Sequence, residues 1–130
     1  MNRSKLALIS LLPLTLLVAC SGREVEVTGQ ISAASTVSGP ISLEFFEMEK
    51  GVADAERVSI KTVELEALGE FNETITVAED VLIVHALVDA DGDGKCTAGE
   101  LWGEAKQEAK EDGTFDAFAV TLAATACPTE

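Results

Sequence analysis

The residues best suited to chemistry form one acidic run late in the chain. Three aspartates stand at alternate positions, Asp89, Asp91 and Asp93, and Gly94 follows the third. Alternate carboxylates converge when the chain turns sharply, and glycine permits such a turn because it has no Cβ. Carboxylates brought close together repel one another unless a cation neutralises them. The spacing therefore predicts a site for a hard cation that prefers oxygen ligands.

The whole segment from Asp89 to Glu100 resembles the calcium loop of EF-hands, D-x-D-x-D-G-x5-E. The resemblance implies that the three aspartates supply carboxylate oxygens, Lys95 its backbone carbonyl, and Thr97 an oxygen directly or through water. Glu100 would close the shell with two oxygens. The residues before the loop favour a strand and not a helix, and Cys96 replaces the usual apolar residue. We therefore expect a structural Ca²⁺ and not a sensor, with a solvated acidic turn as the alternative.

The other reactive side chains are weaker candidates. His85 is the only histidine and lies in the most apolar stretch outside the N-terminus, which favours a hydrogen-bonded histidine in a strand over a catalytic one. One histidine does not make a multi-histidine zinc site, and the sequence has no nucleophile elbow. Trp102 is expected to pack against the fold, with carbohydrate stacking as the alternative. These residues predict a protein that is not an enzyme.

The N-terminal segment has the composition of an export signal. Two basic residues precede an apolar run over residues 6–19, shorter than the roughly 20 residues of a membrane-spanning helix. The run ends in Leu17-Val18-Ala19-Cys20, which resembles the lipobox of bacterial lipoproteins. The resemblance implies cleavage after Ala19 and acylation of Cys20, including a palmitate-type chain. Several acyl chains together anchor a protein stably in a membrane.

The expected organisation has three parts: a signal peptide over residues 1–19, a lipidated cysteine and tether over 20–23, and one domain over 24–130. Ser21 follows the cysteine where an aspartate would resemble an inner-membrane retention signal. We therefore expect attachment to the outer membrane, on its periplasmic or its surface face. Cys96 and Cys127 remain as an even pair in an oxidising compartment, which predicts a disulfide, with two free thiols as the alternative.

The charge of the chain limits its partners. Beyond residue 19, seven Lys and Arg stand against 23 Asp and Glu. Nucleic acids and anionic lipid surfaces bind clustered basic residues, so neither is an expected partner. The acidity is compatible with cation binding, and it also keeps an exported domain soluble.

The elements that must position the acidic loop are predicted to be strands. Apolar and polar residues alternate in four segments separated by turn-forming residues. These segments are Val25–Ile31, Ile41–Met48, Val58–Leu65 and Phe71–Val77. Val81–Val88 is continuously apolar and rich in β-branched residues, which predicts a central strand covered on both faces. Beyond the loop, Gly103–Glu111 fits a helix or a strand, and the Asp112-Gly113 hairpin signal favours the strand. Phe115–Leu122 is the last predicted strand.

About seven short strands predict a single all-β, immunoglobulin-like sandwich. Val-x-Val-x-Gly-x-Ile at Val25–Ile31, then Gly-x-Phe at Gly69–Phe71 and a late apolar strand, resemble transthyretin-like or carboxypeptidase-regulatory-like sandwiches. The resemblance implies an accessory or adhesion module. We therefore expect a lipid-anchored, non-enzymatic binding or structural module with a protein or glycan partner. The alternative is a small-ligand or carbohydrate-binding lipoprotein that assists a transporter or hydrolase.

Overall fold

The computed structural model describes residues 22–37 and 39–127. The predicted signal peptide and the lipobox ending in Cys20 lie outside these residues. The described chain contains one short 3-10 helix, Asp54–Glu56, and seven strands. The strands are β1 (Arg23–Ala33), β2 (Ile41–Met48), β3 (Val58–Leu65), β4 (Gly69–Val77), β5 (Val81–Val88), β6 (Trp102–Glu108) and β7 (Phe118–Leu122). No helix within the described ranges is long and apolar enough to cross a membrane.

The strands form two sheets, one of three strands in the order β4-β1-β7 and one of four in the order β3-β2-β5-β6. Neighbouring strands are antiparallel, except that β7 runs parallel to β1. The inward side chains of both sheets form the main core, and Phe45 meets Phe71 edge-on with ring centroids 6.1 Å apart. The predicted all-β sandwich is confirmed.

The alternating sequence pattern produces this core directly. Along β1 the apolar side chains Val25, Val27 and Ile31 are buried, whereas the alternate polar residues, from Glu24 to Gln30, are exposed. β5 lies between β2 and β6, and every one of its residues is buried except His85, which is half-buried. Burial on both faces requires apolar residues at consecutive positions. The prediction of a central covered strand at Val81–Val88 is therefore confirmed.

The segment after the acidic loop corrects one prediction. The ambiguous region is a strand, but β6 covers Trp102–Glu108 and the chain then turns around Gly113. The predicted reversal at Asp112-Gly113 is present, since the Lys110 N–H donates to the Thr114 carbonyl at 2.8 Å. The predicted pairing across it is not formed along the strands, because β6 pairs with β5, β7 pairs with β1, and only Trp102 and Ala123 bridge the two arms. β7 begins at Phe118, later than predicted, after Phe115 has been buried in the core. Turn residues signal a reversal of the chain, whereas burial of the following apolar residues decides which sheet they join.

Candidate metal centre

The acidic loop is the connection between two neighbouring strands of the four-stranded sheet. β5 ends at Val88 and β6 begins at Trp102, and the Val88 N–H donates to the Leu101 carbonyl at 2.8 Å, which closes the base of the loop. Within the loop, Gly92 and Gly94 adopt φ values of 72° and 73°. These left-handed conformations favour glycine. The two glycines therefore allow the tight turns that bring alternate aspartates together.

Three of the predicted ligands converge. Asp89, Asp91 and Asp93 each offer a carboxylate oxygen, and these oxygens all lie within 4.8 Å of one another. Asp89 is half-buried, whereas Asp91 and Asp93 are exposed. The three carboxylates could thus hold one metal ion, with solvent able to reach the remaining coordination positions.

Backbone N–H groups fix these carboxylates in place. Asp89 accepts hydrogen bonds from Gly92, at 3.0 Å on Oδ1, and from Gly94, at 2.6 Å on Oδ2. Oδ1 of Asp91 accepts the Asp93 N–H at 3.2 Å, and Oδ1 of Asp93 accepts the Lys95 N–H at 2.8 Å. The pKa of Asp91 lies below its ordinary value, chiefly because of the Asp93 N–H and next because of a hydrogen bond with the Asp89 carboxyl. The ionised form that a cation requires is therefore favoured at this position.

Glu100 lies beside the aspartate cluster and is hydrogen-bonded across the loop. It is the only buried charged residue in the described chain. Its Oε1 accepts the Ala90 N–H at 3.0 Å and its Oε2 accepts the Thr97 N–H at 2.8 Å. Its carboxylate is not among the three that lie close together. Glu100 therefore ties the two halves of the loop to each other beside the aspartate cluster.

The last two predicted ligands flank the cluster. The Thr97 hydroxyl donates to Oδ2 of Asp91 at 3.2 Å, so this hydroxyl is one hydrogen bond away from the aspartates. Lys95 contacts the cluster through its backbone N–H on Asp93. The atoms of the cluster that could bind a metal are all carboxylate oxygens. Such a set suits hard cations such as Ca²⁺ and Mg²⁺, whereas structural zinc sites use cysteine and histidine.

A disulfide joins the acidic loop to the C-terminal segment. Cys96 is bonded to Cys127, with their Cα atoms 5.7 Å apart, which confirms the predicted pair. The C-terminal segment is also held by Trp102, whose backbone exchanges two hydrogen bonds with Ala123 at 3.0 and 3.1 Å. The indole Nε1 of Trp102 donates to the Thr125 carbonyl at 3.2 Å. The loop is thus linked covalently to a segment that is fixed along β6.

A second polar cluster lies on the outer face of the four-stranded sheet. Oε1 of Glu104 is 2.7 Å from the Arg57 guanidinium and 2.9 Å from Nδ1 of His85. The pKa of Glu104 lies below its ordinary value, chiefly because of the hydrogen bond with His85, with a further contribution from Arg57 and against the effect of partial burial. Arg57 also lies over the ring of Phe46, 5.1 Å from its centroid. These residues line a depression of about 370 Å³ that loop residues 94–96 border on one side.

Sequence patterns had singled out only His85 from this second cluster. Arg57 directly precedes β3, whereas Glu104 lies in β6, 47 positions further along the chain. His85 and Glu104 are direct partners in the register of β5 and β6. The sequence pattern carries no information on which residues of different strands are neighbours.

The chain has no significant match among protein-family profiles, curated proteins or solved structures. The fold class therefore stands on the sheets themselves, and the resemblance to transthyretin-like domains stays a prediction.

Proposed function

We propose that this protein is a lipid-anchored, non-enzymatic module of the bacterial cell envelope whose acidic loop holds a structural Ca²⁺. The main observation in support of a metal site is the convergence of the carboxylates of Asp89, Asp91 and Asp93. Backbone N–H groups already orient their carboxylates, so little ordering is needed when a cation enters. The cation relieves the mutual repulsion of the three charges.

Calcium suits this loop better than magnesium. Ca²⁺ accepts six to eight oxygens in a flexible arrangement, whereas Mg²⁺ requires nearly ideal octahedral geometry. Two of the three aspartates are exposed, so water can complete a shell of variable size. We expect an affinity of the extracellular class, with a Kd on the order of 10⁻⁴–10⁻³ M.

A structural role follows from the position of the loop. It joins the central strand β5 to β6 and is bonded through Cys96 to the C-terminal segment. A cation there would stabilise the hairpin of the interior strand β5 and the edge strand β6, and would not switch a helix. This is the basis for proposing stabilisation and not signalling.

The non-enzymatic role is supported by the packing of His85. Its imidazole stacks on Trp102, meets Phe46 edge-on and bonds Glu104 through Nδ1. These contacts are those of a side chain that stabilises a sheet face. In the same packing His85 covers one face of the Trp102 indole, which fits a tryptophan that packs against the fold. Among the described residues, Val58 is the only exposed large apolar side chain.

The metal proposal is tested by thermal unfolding of residues 21–130 in EDTA and in millimolar Ca²⁺. At ten times the Kd, binding stabilises the fold by about 1.4 kcal/mol, which raises the Tm of a domain of this size by about 5 °C. Asp93→Ala should abolish the rise. Asp116→Ala removes an exposed aspartate outside the loop, so it should keep the rise. The same Tm in EDTA and Ca²⁺ for the unmodified domain would contradict a calcium site.

The anchoring proposal is tested by the intact mass of the full chain expressed in a bacterium. Lipidation predicts a membrane-associated product that begins at Cys20 and carries the mass of its acyl chains. Cys20→Ala should stop this processing. An exported product without added mass would overturn the lipid anchor and leave the calcium proposal intact.

A further inference from the structure

The start of β1 and the acidic loop lie at opposite ends of the sandwich. Arg23, the first residue of β1, is the register partner of Val77, the last residue of β4. The Arg23 guanidinium donates to the carbonyl of Glu79, in the short connection that leads into β5, at 3.2 Å. β5 therefore starts at this end and runs away from it, so the loop that follows Val88 is at the far end. We call residues 34–37, 89–101 and 123–127 the distal end.

The predicted anchor is close in sequence to the opposite end. Cys20 stands three positions before Arg23, and three extended residues span about 10 Å at most. The eight residues of β5 cover roughly 26 Å at about 3.3 Å per residue. A bilayer that holds Cys20 would therefore lie near the start of β1, while the acidic loop would be more than twice the tether length away.

The flank formed by the three-stranded sheet is unsuited to lipid. Its outward positions include the exposed acids Glu24, Glu26 and Glu70, and none of the described outward residues of β1, β4 and β7 is basic. Peripheral contact with a bilayer requires an apolar face or a basic cluster that attracts anionic headgroups. This flank has neither, and its acids are repelled by an anionic surface.

The flank formed by the four-stranded sheet is also unsuited to lipid. Its basic side chains already have acidic partners in three ion pairs. These pairs are Lys50–Glu108, Arg57–Glu104 and Lys106–Asp54. The one large apolar side chain exposed in the described chain, Val58, lies at the start of β3, away from the distal end. Lying flat on a bilayer would therefore gain little on this side as well.

We infer that the anchored domain stands on the end where β1 begins and presents its distal end to the aqueous compartment. This inference rests on the anchoring part of the proposed function. The acidic loop and the Cys96–Cys127 bridge then face the aqueous compartment, away from the bilayer that carries the anchor.

Fluorescence quenching in vesicles tests this orientation. The lipidated full chain is reconstituted into phosphatidylethanolamine and phosphatidylglycerol vesicles whose headgroups carry a nitroxide quencher. Trp102, the only tryptophan, is near the distal end and should keep its emission. In the double variant Trp102→Phe, Val58→Trp, the single indole is at the opposite end and should lose emission. Equal quenching of both proteins, or stronger quenching of Trp102, would overturn the orientation.

A measurement on the unaltered chain guards against a misfolded double variant. Neutron reflectometry on a supported bilayer gives the thickness of the protein layer. An upright domain predicts a layer roughly 35 Å thick, the length of an 11-residue strand. A flat domain predicts roughly 20 Å, two packed sheets with their side chains. A thin layer with acylated Cys20 overturns the orientation alone, whereas an unacylated Cys20 overturns the anchor and the orientation together.

Discussion

The indole ring of Trp102 stacks on the imidazole of His85, with ring centroids 5.7 Å apart and planes inclined by 22°. The Nε1 of the same indole donates to Thr125 in the C-terminal segment. The single tryptophan thus contacts both β5 and the segment that carries Cys127. Its emission should report whether these parts of the molecule stay together.

Replacing His85 should disturb this contact. We expect His85→Ala to lower the free energy of unfolding by about 1–2 kcal/mol, because an aromatic pair and its buried area are lost. The emission of Trp102 should change at the same time. His85→Phe keeps a ring on the indole but loses the hydrogen bond to Glu104, so it should preserve more of the native emission. Urea unfolding followed by fluorescence measures both effects, and an unchanged spectrum in His85→Ala would contradict the stacking.

Glu104 should make the stability of the domain sensitive to acid. Its pKa lies below the ordinary value of 4.5, first because of His85 and then because of Arg57. A carboxyl whose pKa is lower in the folded state stabilises the fold above its unfolded pKa, and this stabilisation is lost as the pH falls through the folded pKa. We therefore expect the free energy of unfolding to fall below about pH 4.5 more steeply in the unmodified protein than in Glu104→Gln. Urea unfolding at a series of pH values measures this difference.

The control for this prediction is Glu108→Gln, on the same strand. Glu108 forms an exposed ion pair with Lys50, and such pairs contribute little to stability. Its variant should follow the acid dependence of the unmodified protein. Parallel curves for the unmodified protein and Glu104→Gln would show that the cluster around Glu104 does not act as described.

Removing the disulfide should destabilise the domain and loosen the acidic loop. The bridge joins residues 31 positions apart, which corresponds to about 3–4 kcal/mol in the chain-entropy account. We expect the paired variant Cys96→Ser, Cys127→Ser to unfold at lower urea. It should also bind Ca²⁺ more weakly, because Cys96 no longer holds the loop. Calorimetric titration measures the affinity, and an unchanged Kd would show that the aspartates are positioned without the bridge.

Gly103 should tolerate no side chain. A Cβ built at this position would overlap the carbonyl oxygen of Thr121, where β6 approaches β7. We expect Gly103→Ala to cost about 1–3 kcal/mol, since the two strands would have to move apart. Glu108→Ala, on the same strand, is the control, because its ion pair with Lys50 is exposed and contributes little, so it should cost less than about 1 kcal/mol. Equal losses in thermal unfolding would contradict the close approach.

The strands were predictable wherever one face of a sheet is apolar. Ile41–Met48 and Val58–Leu65 match the observed β2 and β3, because alternation and flanking turn residues define both the face and the ends. The partner of the last strand was not predictable. The pattern of Phe118, Val120 and Leu122 places them in the core, but several strands could have offered an edge to them.

The candidate site, too, was predictable only in part from the sequence. The three aspartates of the cluster lie within five consecutive residues, so their spacing alone was enough to predict it. The cluster of Arg57, His85 and Glu104 depends on the register of β5 with β6 and on the path of the chain into β3. The alternation of residues within one strand does not determine which residues of another strand they pair with.

The parallel pairing of β1 with β7 has a mechanical consequence. The first and the last described strands lie side by side over Gly29–Ala33 and point the same way. Opposed forces on the start of β1 and the end of β7 would therefore shear all the hydrogen bonds between these strands at once, instead of breaking them in turn. β4 holds the other edge of β1 along most of its length. A force on the N-terminal tether is thus shared between the hydrogen bonds of β1 with β4 and those of β1 with β7. The fold therefore resists a pull along β1.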